Sequence, residues 1–256
     1  MGNYMKYYIE YFTEKNYRRL LQIAKANNQI CNFNEALNID NGIILRHDID
    51  FSVHRAVALS EIEKSENIQS TFFVHLHSSF YNVMEKEIVT LLKEIIKNGG
   101  IIGLHFEPCF YDLKIDEIEL LNKMALAEKK ILEDICNVEI KHMSFHNPDI
   151  GGEWYKIDDM WIGNMMSVYS KFFRDNFEYC SDSNGYWRYK RLEDVLANSN
   201  GKKIQVLTHP EWWQKEIMWP YERIKRCVMG RADNNLSNYE NLLKSIGRKN
   251  ITGKNN

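Results

Sequence analysis

Ile43-Ile44-Leu45-Arg46-His47-Asp48-Ile49-Asp50 runs from apolar residues into acid within one short stretch. The apolar start reads as a buried strand, and the acidic end reads as its rim. Buried carboxylates are costly unless they are paired, hydrogen-bonded or bound to a metal. Side chains alternate along a strand, so Arg46, Asp48 and Asp50 share one side while His47 and Ile49 share the other. Two carboxylates leaving one side of a strand end point to an acid–base and metal site. Arg46, one step deeper on that face, is placed to pair with one of them. His47 faces the other way and is expected to be a core or supporting histidine.

Periodicity extends the reading in both directions. Helices are predicted over 14–28, 53–66, 85–97, 115–135 and 191–197, with strands over 70–75, 101–105, 141–146, 179–182 and 203–208. A last helix is predicted over 221–246, broken near Gly230, and the polar residues after 247 are expected to fray. Strands alternating with helices imply an α/β protein with a parallel sheet and helical crossovers, closed or open. The expected organisation is a single catalytic α/β barrel domain over 1–247 followed by a polar tail over 248–256. Residues 149–187 are irregular and are expected to form a long loop region over the site.

Composition narrows the classes. The chain has 256 residues, 44% hydrophobic and 27% charged, enough for one sizeable core. A net charge of −2 carries no electrostatic footprint for nucleic acid. The five cysteines are odd in number and form no CxxC pair, as expected in a reducing compartment. Met1 to Lys6 leads into polar sequence, and no apolar run approaches a membrane span, so a cytoplasmic, soluble protein is expected.

Chemically useful residues recur where the predicted strands end. Beyond Asp48 and Asp50 come His75 with His77, then His105-Phe106-Glu107-Pro108, His146-Asn147-Pro148 and His209-Pro210-Glu211-Trp212-Trp213. A lone histidine at such a place is more often structural than a ligand. Repetition at the same end of successive strands changes that balance, because chemistry in such folds collects at the carboxyl ends. Asp, His and Glu together suit zinc or a similar divalent ion. Such an ion lowers the pKa of water, a carboxylate can serve as general base, and a histidine can protonate a leaving group. No G-x-S-x-G elbow, phosphate-cradling loop or dinucleotide fingerprint is present.

In this order the motifs resemble the polysaccharide deacetylase family with the NodB-homology domain. Within it they resemble an uncharacterised bacterial branch carrying R-H-D-[IV]-D and H-P-x-W-W. Ser70-Thr71-Phe72-Phe73-Val74 resembles the family's "ATFF" strand, 99–105 its "GHEIGSH" segment, and Ser181-Asp182-Ser183 through Trp187-Arg188 a later "SDS…WR" stretch. The resemblance spans roughly 43–213 and implies a distorted (β/α) barrel, a divalent metal, usually zinc, and removal of acetyl groups from sugars. Carried over, Asp48 becomes the base, Asp50 and His105 metal ligands, and His209 the acid. Ile49 separates two aspartates that are adjacent in the family, so their roles could be exchanged. The family's second metal histidine would fall at Cys109. Glu107, on the His105 side of an extended segment, is the first choice for the third ligand, with His146 and Cys109 as alternatives. His146 stands where the family has an arginine and is expected to act near the substrate as a catalytic group. Trp212, Trp213 and Arg188 are the expected substrate contacts, the tryptophans by stacking on a sugar ring.

The expected function is a metal-dependent carbohydrate deacetylase acting on a sugar intermediate of surface polysaccharide biosynthesis. One alternative is an enzyme of the same fold acting on another carbon–nitrogen bond of a modified sugar. Another is a non-catalytic sugar-binding protein without bound metal.

Overall fold

The computed structural model describes residues 7–187 and 189–251. Helix α1 (Glu14–Asn27) starts at Thr13, whose hydroxyl accepts the Asn16 N–H, and buries Tyr17, Leu20, Leu21 and Ala24 at helical spacing. The two-residue strand β1 (Ile30–Cys31) leads to β2 (Gly42–Ile49), which is buried along its whole length. Helix α2 (Val53–Ser65) follows, capped by Ser52. Then come β3 (Thr71–Val74), α3 (Lys86–Lys97), β4 (Ile101–Phe106), α4 (Ile118–Cys136) and β5 (His142–Phe145). The remaining elements are β6 (Trp161–Ile162), β7 (Met165–Ser167), α5 (Lys171–Asn176), β8 (Glu178–Ser181), α6 (Leu192–Ala197), β9 (Lys203–Thr208) and α7 (Pro220–Ser245).

The strands form one sheet in the order β6-β7-β5-β4-β3-β2-β9-β8, with β1 pairing along the start of β2. All pairings are parallel except β6 with β7. Parallel strands buried on both faces read as continuous apolar runs, which is why β2 shows no polar alternation until its end. One face packs on the helices: Ile43, Leu45, Ile204 and Val206 meet α1, while Phe72, Val74, Ile102 and Leu104 meet the residues of α3 and α4. The other face curls round a small interior of Phe33, Ile44, Phe73, Met166, Val168 and Phe173.

Side chains join the two ends of this curled sheet. Gln205 of β9 donates to Val168 O at 3.4 Å, and Arg46 of β2 donates to the Tyr169 hydroxyl at 2.8 Å. The Arg46 guanidinium also lies over the Tyr169 ring (4.8 Å) and that of Tyr179 on β8 (6.0 Å). The expected distorted (β/α) barrel is therefore the fold observed, its last gap bridged by an arginine between two tyrosines. Gly103 of β4 faces the interior, where a Cβ would lie 2.5 Å from the Phe73 ring, so only glycine lets that ring fill the centre.

Three local expectations differ from the structure. Residues 149–187 hold β6, β7 and α5 rather than a plain loop, because strands of two or three residues are too short to show a period. Helix α4 begins at Ile118, not at 115. Helix α7 runs unbroken through Gly230, whose missing side chain meets nothing. Among the described residues no helix is long and apolar enough to cross a membrane.

A candidate active site at the strand ends

The register of β2 against β3 and β9 brings the inward residues of neighbouring strands to one level. Asp48 and Asp50 rise from β2 and the residue after it, His105 from β4, His146 from the end of β5, and His209 from the end of β9. Pro108 and Pro210 each start a short 3-10 turn behind these strand ends, turning the chain away and leaving the histidines at the rim.

The two aspartates have different surroundings. Asp48 Oδ2 takes an ion pair from Arg46 at 3.0 Å and lies 3.8 Å from His105 Nε2, while its Oδ1 is buried without a hydrogen-bond partner. Asp50 is flanked by His105 Nε2 at 3.2 Å and His209 Nε2 at 3.7 Å. Burial alone would raise the Asp50 carboxyl, but the His105 hydrogen bond and the charges of His209 and His105 outweigh it and hold it below the usual carboxylate range.

Each histidine is held at Nδ1 by an oxygen. His105 Nδ1 lies 2.7 Å from Ser144 Oγ, His146 Nδ1 3.2 Å from Glu107 Oε1, and His209 Nδ1 2.5 Å from Asp182 Oδ1. Holding Nδ1 in this way fixes each ring and turns Nε2 toward the site, where the Nε2 of His146 also meets the Asn147 side-chain amide at 3.1 Å. Burial would lower the His209 pKa, but the Asp182 charge and hydrogen bond outweigh it and raise it well above the ordinary imidazole value. Burial, reinforced by His105, lowers the His146 pKa. His75, buried beside His105 and His146, is pushed down to about 2 and is a neutral imidazole, its Nε2 donating to Glu107 Oε2 at 3.1 Å.

Asp50, His105 and His146 each offer a ligand atom, all within 4.8 Å of one another. His75, Glu107 and His146 form a second such group. Glu107 does not join Asp50 and His105; it sits behind His146, clasped by two imidazoles. A metal fits the first group: the donor set is one carboxylate and two imidazoles, and the buried Asp50 Oδ1 faces His105 Nε2 at 3.2 Å, two donor atoms turned toward one point. Beside these residues opens a cleft of about 610 Å³, lined by Tyr155, Tyr169, Tyr179, Asn147 and Phe145 among others.

No protein-family model matches the sequence, and no curated protein matches it. Solved structures do match. A variant of the peptidoglycan deacetylase PdaC from Bacillus subtilis is 16% identical, over 82% of this chain and 96% of that one, with a TM-score of 0.43. A family 4 carbohydrate esterase from Bacillus anthracis is 12% identical, over 84% of this chain and 86% of that one, with a TM-score of 0.40. A mutant of BA3943, described as a CE4 family pseudoenzyme with restored activity, is 14% identical over 83% of this chain, which spans 65% of its length, with a TM-score of 0.43. The likeness is distant. At such identities and TM-scores nothing of their chemistry transfers to this chain.

Several expected site residues lie elsewhere. Trp213 is fully buried against Phe12, Tyr17 and Trp187, and its Nε1 donates to Thr208 Oγ1 at 2.6 Å, so it cannot stack on a sugar. Trp212 is also buried, against Phe51, and does not line the cleft. Both belong to the core because the 3-10 turn after His209 folds back onto α1 and α2 rather than over the cleft. Cys109 Sγ donates to Ile150 O at 3.1 Å, and Cys109 belongs to neither candidate metal group. Arg188 lies outside the described residues. His47 packs outward as expected, bonding to the buried Glu63 at 2.7 Å together with Tyr17 and Ser70.

The residue that sequence reasoning passed over is Asp182. It accepts from the Thr208 hydroxyl and from the His209 N–H and ring, yet the sequence marked it only within the "SDS" resemblance. No local pattern joins residues 182 and 209; the parallel pairing of β8 with β9 does.

Proposed function

We propose that this chain is a metal-dependent hydrolase that removes acetyl groups from a sugar. The observation that carries the reading is the meeting of Asp50, His105 and His146 within metal-ligand distance at the strand ends, beside a tyrosine-lined cleft. These three residues would hold the ion, with zinc suited to the donor set. A divalent ion there supplies Lewis-acid polarisation of the acyl carbonyl and eases deprotonation of water.

The protein's own groups supply the rest. Asp48, anchored by Arg46, takes the proton from the attacking water. His209, held protonated by Asp182, gives a proton to the departing sugar nitrogen or oxygen. Glu107 orients His146 through Nδ1, so His146 serves the metal rather than the proton transfer. The cleft tyrosines present ring faces and hydroxyls suited to a sugar.

The test is acetate release from N- and O-acetylated sugars by zinc-loaded protein. Chelation should abolish it and zinc should restore it. Asp48→Asn should lower kcat by about 10²–10⁴-fold while zinc content is retained. Full activity in the metal-free protein, or in Asp48→Asn, would rule the mechanism out.

A further inference from the structure

Among the described residues, side chains of α7 up to Asn234 are tied to the body, and those of the later turns are not. Arg223 is buried and donates to Gly185 O, Ile9 O and Met218 O. Cys227 Sγ donates to Phe51 O, Arg231 pairs with Glu85, and Asn234 donates to Glu87. Among the described residues, no side chain of α7 beyond Asn234 has a hydrogen bond or ion pair to the body. The helix nevertheless continues to Ser245. A helical end of three turns is marginal in water without a packed face.

An apolar stripe runs from the tied turns into that end. Met229, Ala232, Leu236, Tyr239, Leu243 and Ile246 recur at alternating spacings of three and four, the a and d positions of a heptad. At 100° per residue this stripe lies about two-fifths of a turn from the side bearing Cys227, Arg231 and Asn234 that faces the body. Leu236 is 64% exposed and Tyr239 53%. A strict heptad seam is the pattern of a helix that packs on another helix, not of one lying on a sheet.

We propose that α7 is an interaction surface for α7 of a second copy of this chain, paired antiparallel about a two-fold axis between Leu236 and Tyr239. The stripe is self-complementary about that point. Leu236 faces Tyr239 of the second copy, the small Ala232 faces its Leu243, and Met229 faces its Ile246. With Leu242 at the flank of the seam, each copy presents on the order of 600 Å² of exposed surface on these residues, so a pair buries at most about 1,200 Å², the size of a weak, concentration-dependent dimer. Isologous pairing of one patch with itself is the commonest route to a dimer.

Sedimentation equilibrium of the full chain over a range of micromolar concentrations tests this. A mass rising to twice the 30.4 kDa of one chain is expected. Leu236→Glu should weaken dimerisation by about tenfold or more, because it places two carboxylates at the apolar centre. Asn241→Glu, on the opposite side of the helix, should leave it unchanged. Circular dichroism and thermal melts of both variants check that the body, which Leu236 does not support, stays folded. A monomer at every concentration, or a dimer that Leu236→Glu leaves intact, overturns the proposal. So does a monomer that floats with vesicles of phosphatidylcholine and phosphatidylglycerol through the same leucine, since the stripe would then serve a lipid surface.

Discussion

At the residue scale, the working atoms of the candidate site are set by partners one step removed from them. Ser144, Glu107 and Asp182 each hold an imidazole at Nδ1, and Arg46 anchors Asp48. Trp213 extends one of these chains into the core: its indole donates to Thr208, whose hydroxyl donates to Asp182. Because Asp182 raises the His209 pKa, the stabilisation from this pair is complete below the ordinary imidazole value of about 6.5 and is lost as the pH rises through the raised folded-state value. Asp182→Asn removes the raising charge. Its pH–activity profile should lose activity at lower pH than that of the parent on the alkaline side, and the gain in melting temperature toward acid should shrink. An unchanged alkaline limb would remove His209 from the role of acid.

At the element scale, the fold depends on what each strand leaves room for. Strand β4 carries glycine at 103 because Phe73 from β3 occupies the place of its side chain. Gly103→Ala should destabilise the protein by about 1–3 kcal/mol through overpacking, read as a lower urea midpoint at unchanged slope. Loss of zinc affinity beyond that expected from stability would show that the shift reaches His105, two residues on. The elements were legible to different degrees. Helices α1 and α3 and strands β2, β4 and β9 carry long periodic or apolar runs, so their positions follow from local pattern. The antiparallel return of β6 and β7 does not, because two or three residues cannot express a period and their pairing depends on distant residues.

At the scale of the whole molecule, a buried arginine stands where the sheet fails to close. Arg46 joins β2 to Tyr169 beyond β7 and to Tyr179 on β8, and it neutralises Asp48. Removing one partner of a buried ion pair leaves the other uncompensated. Arg46→Ala should therefore cost about 3–5 kcal/mol in chemical denaturation and lower activity together, whereas Tyr169→Phe, which removes one hydroxyl, should cost only about 1 kcal/mol. Sequence alone determined the alternation of helices and strands, the inward face of Arg46, Asp48 and Asp50, and the placing of histidines at strand ends. Those features follow from side-chain period and apolar runs, which are local. Tertiary structure alone decided that His146, not Glu107, joins Asp50 and His105, that Asp182 holds His209, and that Trp212 and Trp213 are core. Each of these depends on which strands lie side by side and how far the sheet curls, and residues far apart in the chain set both.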